Sequence, residues 1–171
     1  KVYEIVSGQK NDVSDKFPVV AKKEVNVGDA AVLEQFVEQA VSKYPAKRYA
    51  IILSGHGGGW RKIYLNKQKV DINPIARPEY VCIDENNDHL TNSEIKQALS
   101  YISTSALKGK KIDLLGFDAC LMQMLEIQYI AQEYASIMIG SEKEIPGFGW
   151  AYTKPISSLA SHAAIPTIDL A

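Results

Sequence analysis

Tyr49-Ala50-Ile51-Ile52-Leu53 is a run of five residues with no polar break. A strand with one solvated face alternates apolar and polar residues, so an unbroken run fits a strand covered on both faces. It ends in Ser54-Gly55-His56-Gly57-Gly58-Gly59-Trp60, which cannot continue either a strand or a helix. A strand buried on both sides is the habit of parallel sheets flanked by helices, and this run therefore constrains the fold more than any other segment.

The rest of the chain fits that frame. Val2–Ser7 reads as a first strand followed by a polar loop. Asp29 can cap a helix running to about Tyr44, with Ala31, Leu33, Phe36, Val37, Ala40 and Val41 on its apolar side and Pro45 to stop it. Tyr80–Ile83 is a short strand. Thr91-Asn92-Ser93-Glu94 is a capping box opening a helix to about Ser103. Ile112–Phe117 is a strand, a helix from about Cys120 to Gln132 follows, and Ser136–Gly140 is a strand again. The alternation predicts an α/β fold, a mostly parallel sheet with helices on both faces.

The bulk numbers agree. At 171 residues and 46% hydrophobic the chain can build one domain with a core. Nineteen basic residues against twenty acidic ones give a net charge of −1, with no aromatic-interleaved basic stripe, which argues against nucleic acid as a partner. No apolar run approaches the roughly 20 residues that cross a bilayer. The chain opens on Lys1 without an initiator Met, as a fragment or processed form does. Two cysteines, Cys82 and Cys120, do not make a disulfide framework.

In open parallel sheets, sites form at the carboxyl ends of strands. His56 lies three residues past Leu53, and Cys120 three past Phe117. Adjacent parallel strands would place both on one rim, although 64 residues separate them in sequence. A cysteine nucleophile attacks as a thiolate, and a helix N-terminus and a nearby imidazolium both favour that form. The expected helix start at Cys120 would supply the first effect, and His56 the second. His56 can then protonate the leaving amine and help water attack the thioester. The N–H groups of Gly57 and Cys120 are candidate oxyanion donors. Cys82, inside its short strand, reads as core. His89 and His162 read as surface residues.

Three other motifs fail on inspection. His56-Gly57-Gly58-Gly59 is like an esterase oxyanion loop, but no G-x-S-x-G elbow exists. The glycines are not a phosphate loop, because no Gly-Lys-Ser/Thr follows. Asp84-Glu85-Asn86-Asn87-Asp88 opens like a calcium loop, yet His89 stands where the loop needs Gly, and Glu94 falls one position early. It reads as a polar turn, with weak cation binding at Asp84 and Asp88 left open.

Three blocks carry a resemblance. Tyr49–Trp60, Asp113–Met122 (Asp-Leu-Leu-Gly-Phe-Asp-Ala-Cys-Leu-Met) and Ser141–Trp150 (Ser-Glu-Lys-Glu-Ile-Pro-Gly-Phe-Gly-Trp) occur in the order, and with most of the residues, of the clostripain family of cysteine peptidases. The resemblance implies a caspase-like three-layer α/β sandwich, with His56 as acid/base and Cys120 as nucleophile. It further implies peptide or protein substrates cut after Arg or Lys, no cofactor in the chemistry, frequent activation by Ca2+, a zymogen opened by internal cleavage, and a secreted or cell-envelope location in a bacterium. The chain is shorter than such a domain and reads as an incomplete core within a single 1–171 domain, lacking a strand before Lys1 and further sheet after Ala171. The loop at 61–79 is where an activation cleavage is expected, at Arg61, Lys62, Lys67, Lys69 or Arg77.

The pocket beside the nucleophile is less regular. Asp118 matches the residue that lines the family's pocket for the residue before the scissile bond, where a carboxylate would pair with a basic side chain. It is also placed to cap the helix expected at Cys120. Phe148 stands where many relatives carry an acidic residue, and can instead stack on a guanidinium plane. Ile145 stands where a more polar residue is expected. Truncation and Phe148 leave a second class open, a peptidase fold kept as a binding module.

Overall fold

The computed structural model describes residues 1–20, 25–60, 81, 82 and 88–171. Its centre is a parallel sheet of three strands, β3 (Ala50–Ser54), β4 (Ile112–Asp118) and β5 (Ala135–Ile139), in the order β3-β4-β5. Ahead of it in the chain come β1 (Tyr3–Val6), β2 (Gln9–Asp12) and helix α1 (Ala30–Lys43). Helix α2 (Asn92–Tyr101) leads through a π-helical turn at Ile102–Ala106 into β4, and α3 (Leu125–Ala131) links β4 to β5. Helices α4 (Thr153–Ser161) and α5 (Thr167–Leu170) follow the sheet.

Successive side chains of a strand point to opposite faces. On one face Leu53, Leu115 and Phe117 join Ile95, Leu99, Ile102 and Val37 in the main core, so α1 and α2 form one outer layer. Each such fully buried aliphatic or aromatic side chain stabilises by about 1.5–3 kcal/mol. On the other face Gly116 leaves room for the Trp150 ring, which packs over Gly116 and Ile52. Arg48 ties the last layer down by donating to the carbonyls of Ala163 and Ile165 at 2.7 and 2.5 Å. The α/β architecture with helices on both faces is the expected one.

The helix starts that matter are set locally. Asp29 accepts from Ala31 N–H at 2.8 Å at the head of α1. Thr91 and Glu94 make the reciprocal capping box of α2. Such caps are worth about 1 kcal/mol each.

Three expectations need correction. The first strand does not join the central sheet. Ser7 and Gly8, with φ of 49° and 79°, turn it back on β2 in an antiparallel hairpin, where a loop was expected. Two consecutive positive-φ residues suit a two-residue hairpin turn. No strand is seen at the expected Tyr80–Ile83 among the described residues. Val81 instead makes isolated bridges to Gly57 and Leu90, while Tyr80 and Ile83 lie outside those residues. Finally, no helix starts at Cys120. Leu121 adopts φ of 63°, which breaks a right-handed helix, and α3 begins only at Leu125, with Met124 as its N-cap.

Candidate active site

The register of β3 on β4 decides where the chemistry-bearing residues meet. Leu53 pairs with Phe117 and Ser54 with Asp118. His56 and Cys120 each stand two residues beyond that last pair, so the parallel ladder delivers both to the same rim of the sheet. Gly55 N–H donates to the Asp118 carbonyl at 3.1 Å, extending the pairing past the strand ends. Gly57 is buried against the turn that carries Cys120. A Cβ there would collide with the Cys120 carbonyl oxygen and lie 3.0 Å from Ala119 Cβ and Met122 Cγ. Only glycine allows the backbone next to His56 to lie on that turn.

The His56 segment is held from two sides. Cys82 N–H donates to the His56 carbonyl at 3.2 Å. The buried Asn92, in the first turn of α2, donates its Nδ2 to the Gly59 carbonyl at 3.3 Å. The His56 side chain is exposed, free to meet a substrate.

Cys120 is half-buried. The expected support from a helix N-terminus is missing, because Leu121 and Gln123 turn their N–H groups to a facing strap. They donate to the carbonyls of Lys143 and Ser141 at 3.1 and 3.0 Å. The strap brings Ile145 onto the sulfur, and its N–H points at Cys120 Sγ at 3.4 Å. The Ile145 carbonyl lies 4.0 Å from the same sulfur. Among the described residues, the N–H groups of Gly57 and Cys120, the candidate oxyanion donors, give no hydrogen bond to a protein acceptor.

Asp118 is 3% exposed. Without a helix start at Cys120 it caps nothing, so that alternative falls. Its Oδ2 instead accepts from Trp150 N–H at 3.1 Å and from the Tyr152 hydroxyl at 2.7 Å. Gly149, at φ of 70°, has no Cβ because one would sit 2.6 Å from that oxygen. Asp118 Oδ1 is buried with no hydrogen-bond partner among the described residues. An unmet buried acceptor costs about 1–3 kcal/mol, more when charged. Burial, reinforced by the Asp118 carboxylate, pushes the Tyr152 phenol up to about 12, so it remains a donor at neutral pH. Phe148 is 88% exposed on the outside of the same loop.

Cys82 is half-buried and packs against the main core, yet it stands at the rim, its Sγ 3.6 Å from the Ser54 carbonyl. Burial pushes its thiol up to about 11. His162 is exposed at the end of α4 as expected, whereas His89 is half-buried. Asp84 lies outside the described residues. Asp88 accepts from Asn26 Nδ2 at 2.5 Å and from His89 N–H at 3.0 Å. Among the described residues no three His, Cys, Asp or Glu side chains converge as a metal site. The expected cleavage loop at 61–79 also lies outside them.

Sequence reasoning did not find Asn92, Ile145, Trp150 or Tyr152 as members of the rim. Trp150 sits in a block that was singled out, but nothing in one sequence shows that its backbone and Tyr152 grip Asp118.

Comparison with known proteins adds the family. The profile of the clostripain family matches residues 4–171. The chain belongs to the clostripain family. It is 29% identical over 164 residues to clostripain of Hathewaya histolytica, covering 90% of this chain and 30% of that protein. A secreted C11 cysteine protease of Bacteroides thetaiotaomicron, solved with an irreversible peptide inhibitor, superposes with a TM-score of 0.64 at 26% identity. The match covers 85% of this chain and 36% of that one. An inactive zymogen of a C11 protease from Parabacteroides distasonis shares the fold, with a TM-score of 0.59 at 22% identity over 92% of this chain and 38% of that one. The chain thus spans about a third of the length of these clostripain-family relatives. No helix among the described residues is long and apolar enough to cross a membrane.

Proposed function

We propose that this chain carries the catalytic centre of a cysteine endopeptidase that cleaves after Arg or Lys. The observation that carries the proposal is the pairing of Ser54 with Asp118, which sets His56 and Cys120 on one rim with Gly57 seated on the Cys120 carbonyl. Membership of a cysteine-peptidase family supports it. So does a relative captured with a peptide inhibitor.

In this mechanism His56 takes the Cys120 thiol proton, and the thiolate attacks the scissile carbonyl carbon. The oxygen gains negative charge and meets the N–H groups of Gly57 and Cys120. His56 passes its proton to the leaving amine as the C–N bond breaks, leaving a thioester. It then takes a proton from water, whose oxygen displaces the sulfur and releases the acid. Thiolate and imidazole supply all the chemistry, so no cofactor enters. Calcium, as an activator, stands outside these bond changes.

Asp118 gives the preference for a basic residue. Its Oδ2 is spent on Trp150 and Tyr152, and its buried Oδ1 lacks a donor that an Arg or Lys side chain would bring. Phe148 adds no charge at the lip, so a single carboxylate sets the selectivity. The enzyme is secreted, as the Bacteroides relative is, and made as a zymogen.

Fluorogenic peptides ending in Arg or Lys test the proposal. Cys120→Ala and His56→Ala should each lower kcat/KM by at least about 10^3-fold, the scale for removing one member of a catalytic unit. Cys82→Ala should retain cleavage. Equal activity of the Cys120 and Cys82 variants would remove Cys120 as the nucleophile.

A further inference from the structure

Cys120 lacks the helix N-terminus that its sequence position suggests, and the structure supplies a substitute. The first helical residue after it is Leu125, and the turn between is broken by the positive φ of Leu121. The dipole of a helix acts within its first turn, which leaves the sulfur outside its reach. Among the described residues, what faces the sulfur is one peptide N–H, that of Ile145, at 3.4 Å.

We propose that the backbone N–H of Ile145 is a catalytic donor that holds the Cys120 sulfur as thiolate. This rests on Cys120 being the nucleophile. A hydrogen bond made to the charged form of an acid favours that form. In the thiol state the sulfur's own hydrogen can turn to the Ile145 carbonyl, 4.0 Å away. When that hydrogen leaves for His56, the N–H contact remains and meets the new charge.

Two features fix the donor in place. The strap is bonded across the nucleophile turn at Leu121–Lys143 and Gln123–Ser141, so its path follows the backbone of the turn. Pro146 follows Ile145, and its ring disfavours the helical region for the residue before it. That steers Ile145 away from the helical region before any substrate arrives. Because the donor is a main-chain group, the apolar side chain at this position is no handicap.

Among the described residues, the ionisable side chains on the segments around the sulfur are His56 beyond β3, Asp118 on β4, Cys82 beside His56, and Glu142, Lys143 and Glu144 on the strap. None is changed by a substitution at 145. The rate of Cys120 alkylation by iodoacetamide, in which a C–S bond forms as iodide leaves, reports the thiolate fraction at each pH. It is read on the full-length protein from the mass of the Cys120 peptide. Ile145→Pro removes the N–H, and incorporation of the α-hydroxy analogue of isoleucine at 145 replaces only that amide with an ester. Both should move the midpoint of the rate profile up by about one pH unit, and Ile145→Val should leave it in place. If the proline variant loses its far-ultraviolet dichroism, the ester variant decides. An unchanged midpoint in the ester variant overturns the proposal, as does an equal shift in Ile145→Val. Failure of the nucleophile assignment shows differently, as peptide cleavage that survives Cys120→Ala.

Discussion

The Tyr152 hydroxyl donates to Asp118 Oδ2 at 2.7 Å, joining the end of β4 to the segment that enters α4. The acceptor is buried, and its other oxygen has no partner among the described residues. The carboxylate is therefore oriented by two groups, the Tyr152 hydroxyl and the Trp150 N–H. Tyr152→Phe should destabilise by about 1.5–3 kcal/mol, the scale of a hydrogen bond to a charged group. Urea denaturation measures it. In an Asp118→Ala background most of that loss should vanish, and additive effects would show that the two residues are not coupled.

Asp118→Asn tests selectivity by itself. The amide keeps an oxygen for Trp150 and Tyr152 but removes the charge. Truncating one member of a buried charged pair costs about 2–5 kcal/mol. Cleavage after Arg or Lys should therefore fall by at least about 30-fold in kcat/KM, while the alkylation rate of Cys120 changes little. A peptide library profile that keeps its basic preference in Asp118→Asn would assign specificity elsewhere.

Gly57→Ala should be severe for a geometric reason. The new methyl would meet the Cys120 carbonyl, which is backbone and cannot rotate away. Overpacking of this kind costs about 1–3 kcal/mol, and a displacement near 1 Å at a reacting centre can cost about 10^2-fold in rate. Differential scanning calorimetry and kcat together check both effects. A variant with normal kcat would mean that the glycine loop and the cysteine turn do not act as one unit.

The legible part of this molecule is the part made of short-range rules. The unbroken run Tyr49–Leu53, the Asp29 cap and the Thr91–Glu94 box each reveal a buried strand or a helix start, and those elements stand where expected. Strand-end placement also puts His56 and Cys120 on one rim, and the parallel register of β3 on β4 agrees. The helix expected at Cys120 was misplaced because its first N–H groups are claimed by the strap, a tertiary partner about twenty residues on that no local pattern announces. The hairpin was missed because β2 (Gln-Lys-Asn-Asp) is polar and exposed throughout, so no apolar alternation marks it as the partner of β1. The grip of Trp150 and Tyr152 on Asp118 was hidden for the same reason as the strap. It is a contact across 32 and 34 residues.

Asn92 gives a prediction about the far end of the glycine loop. Its buried side chain donates to the Gly59 carbonyl, three residues beyond His56. Asn92→Ala removes that donor and should cost about 1 kcal/mol of stability. Its larger effect should be on kcat, about tenfold, with KM little changed, because the loop carries His56 rather than the substrate pocket. A rise in KM at constant kcat would instead place Asn92 in substrate binding.

Cys82 serves as the internal reference for reactivity, and its pH dependence has a definite sign. Burial raises its thiol from 9.0 to about 11, so the protein stays nearly all thiol there at neutral pH. Alkylation of Cys82 in the native protein should be slow at pH 8 and rise about tenfold per pH unit until it levels near 11. The same shift is a stability statement. The folded state holds the proton more tightly than the unfolded chain, so this contribution is complete below pH 9 and is lost as pH rises toward 11. Two pH units correspond to at most about 2.7 kcal/mol. The difference in urea midpoint between wild type and Cys82→Ala, measured at pH 8 and at pH 10.5, isolates it from every ionisable group that the two proteins share. Wild type should lose more stability over that interval than the variant. A parallel decline in the two proteins, or rapid alkylation of Cys82 at pH 8, would show that this thiol is not the buried, neutral neighbour of His56 described above.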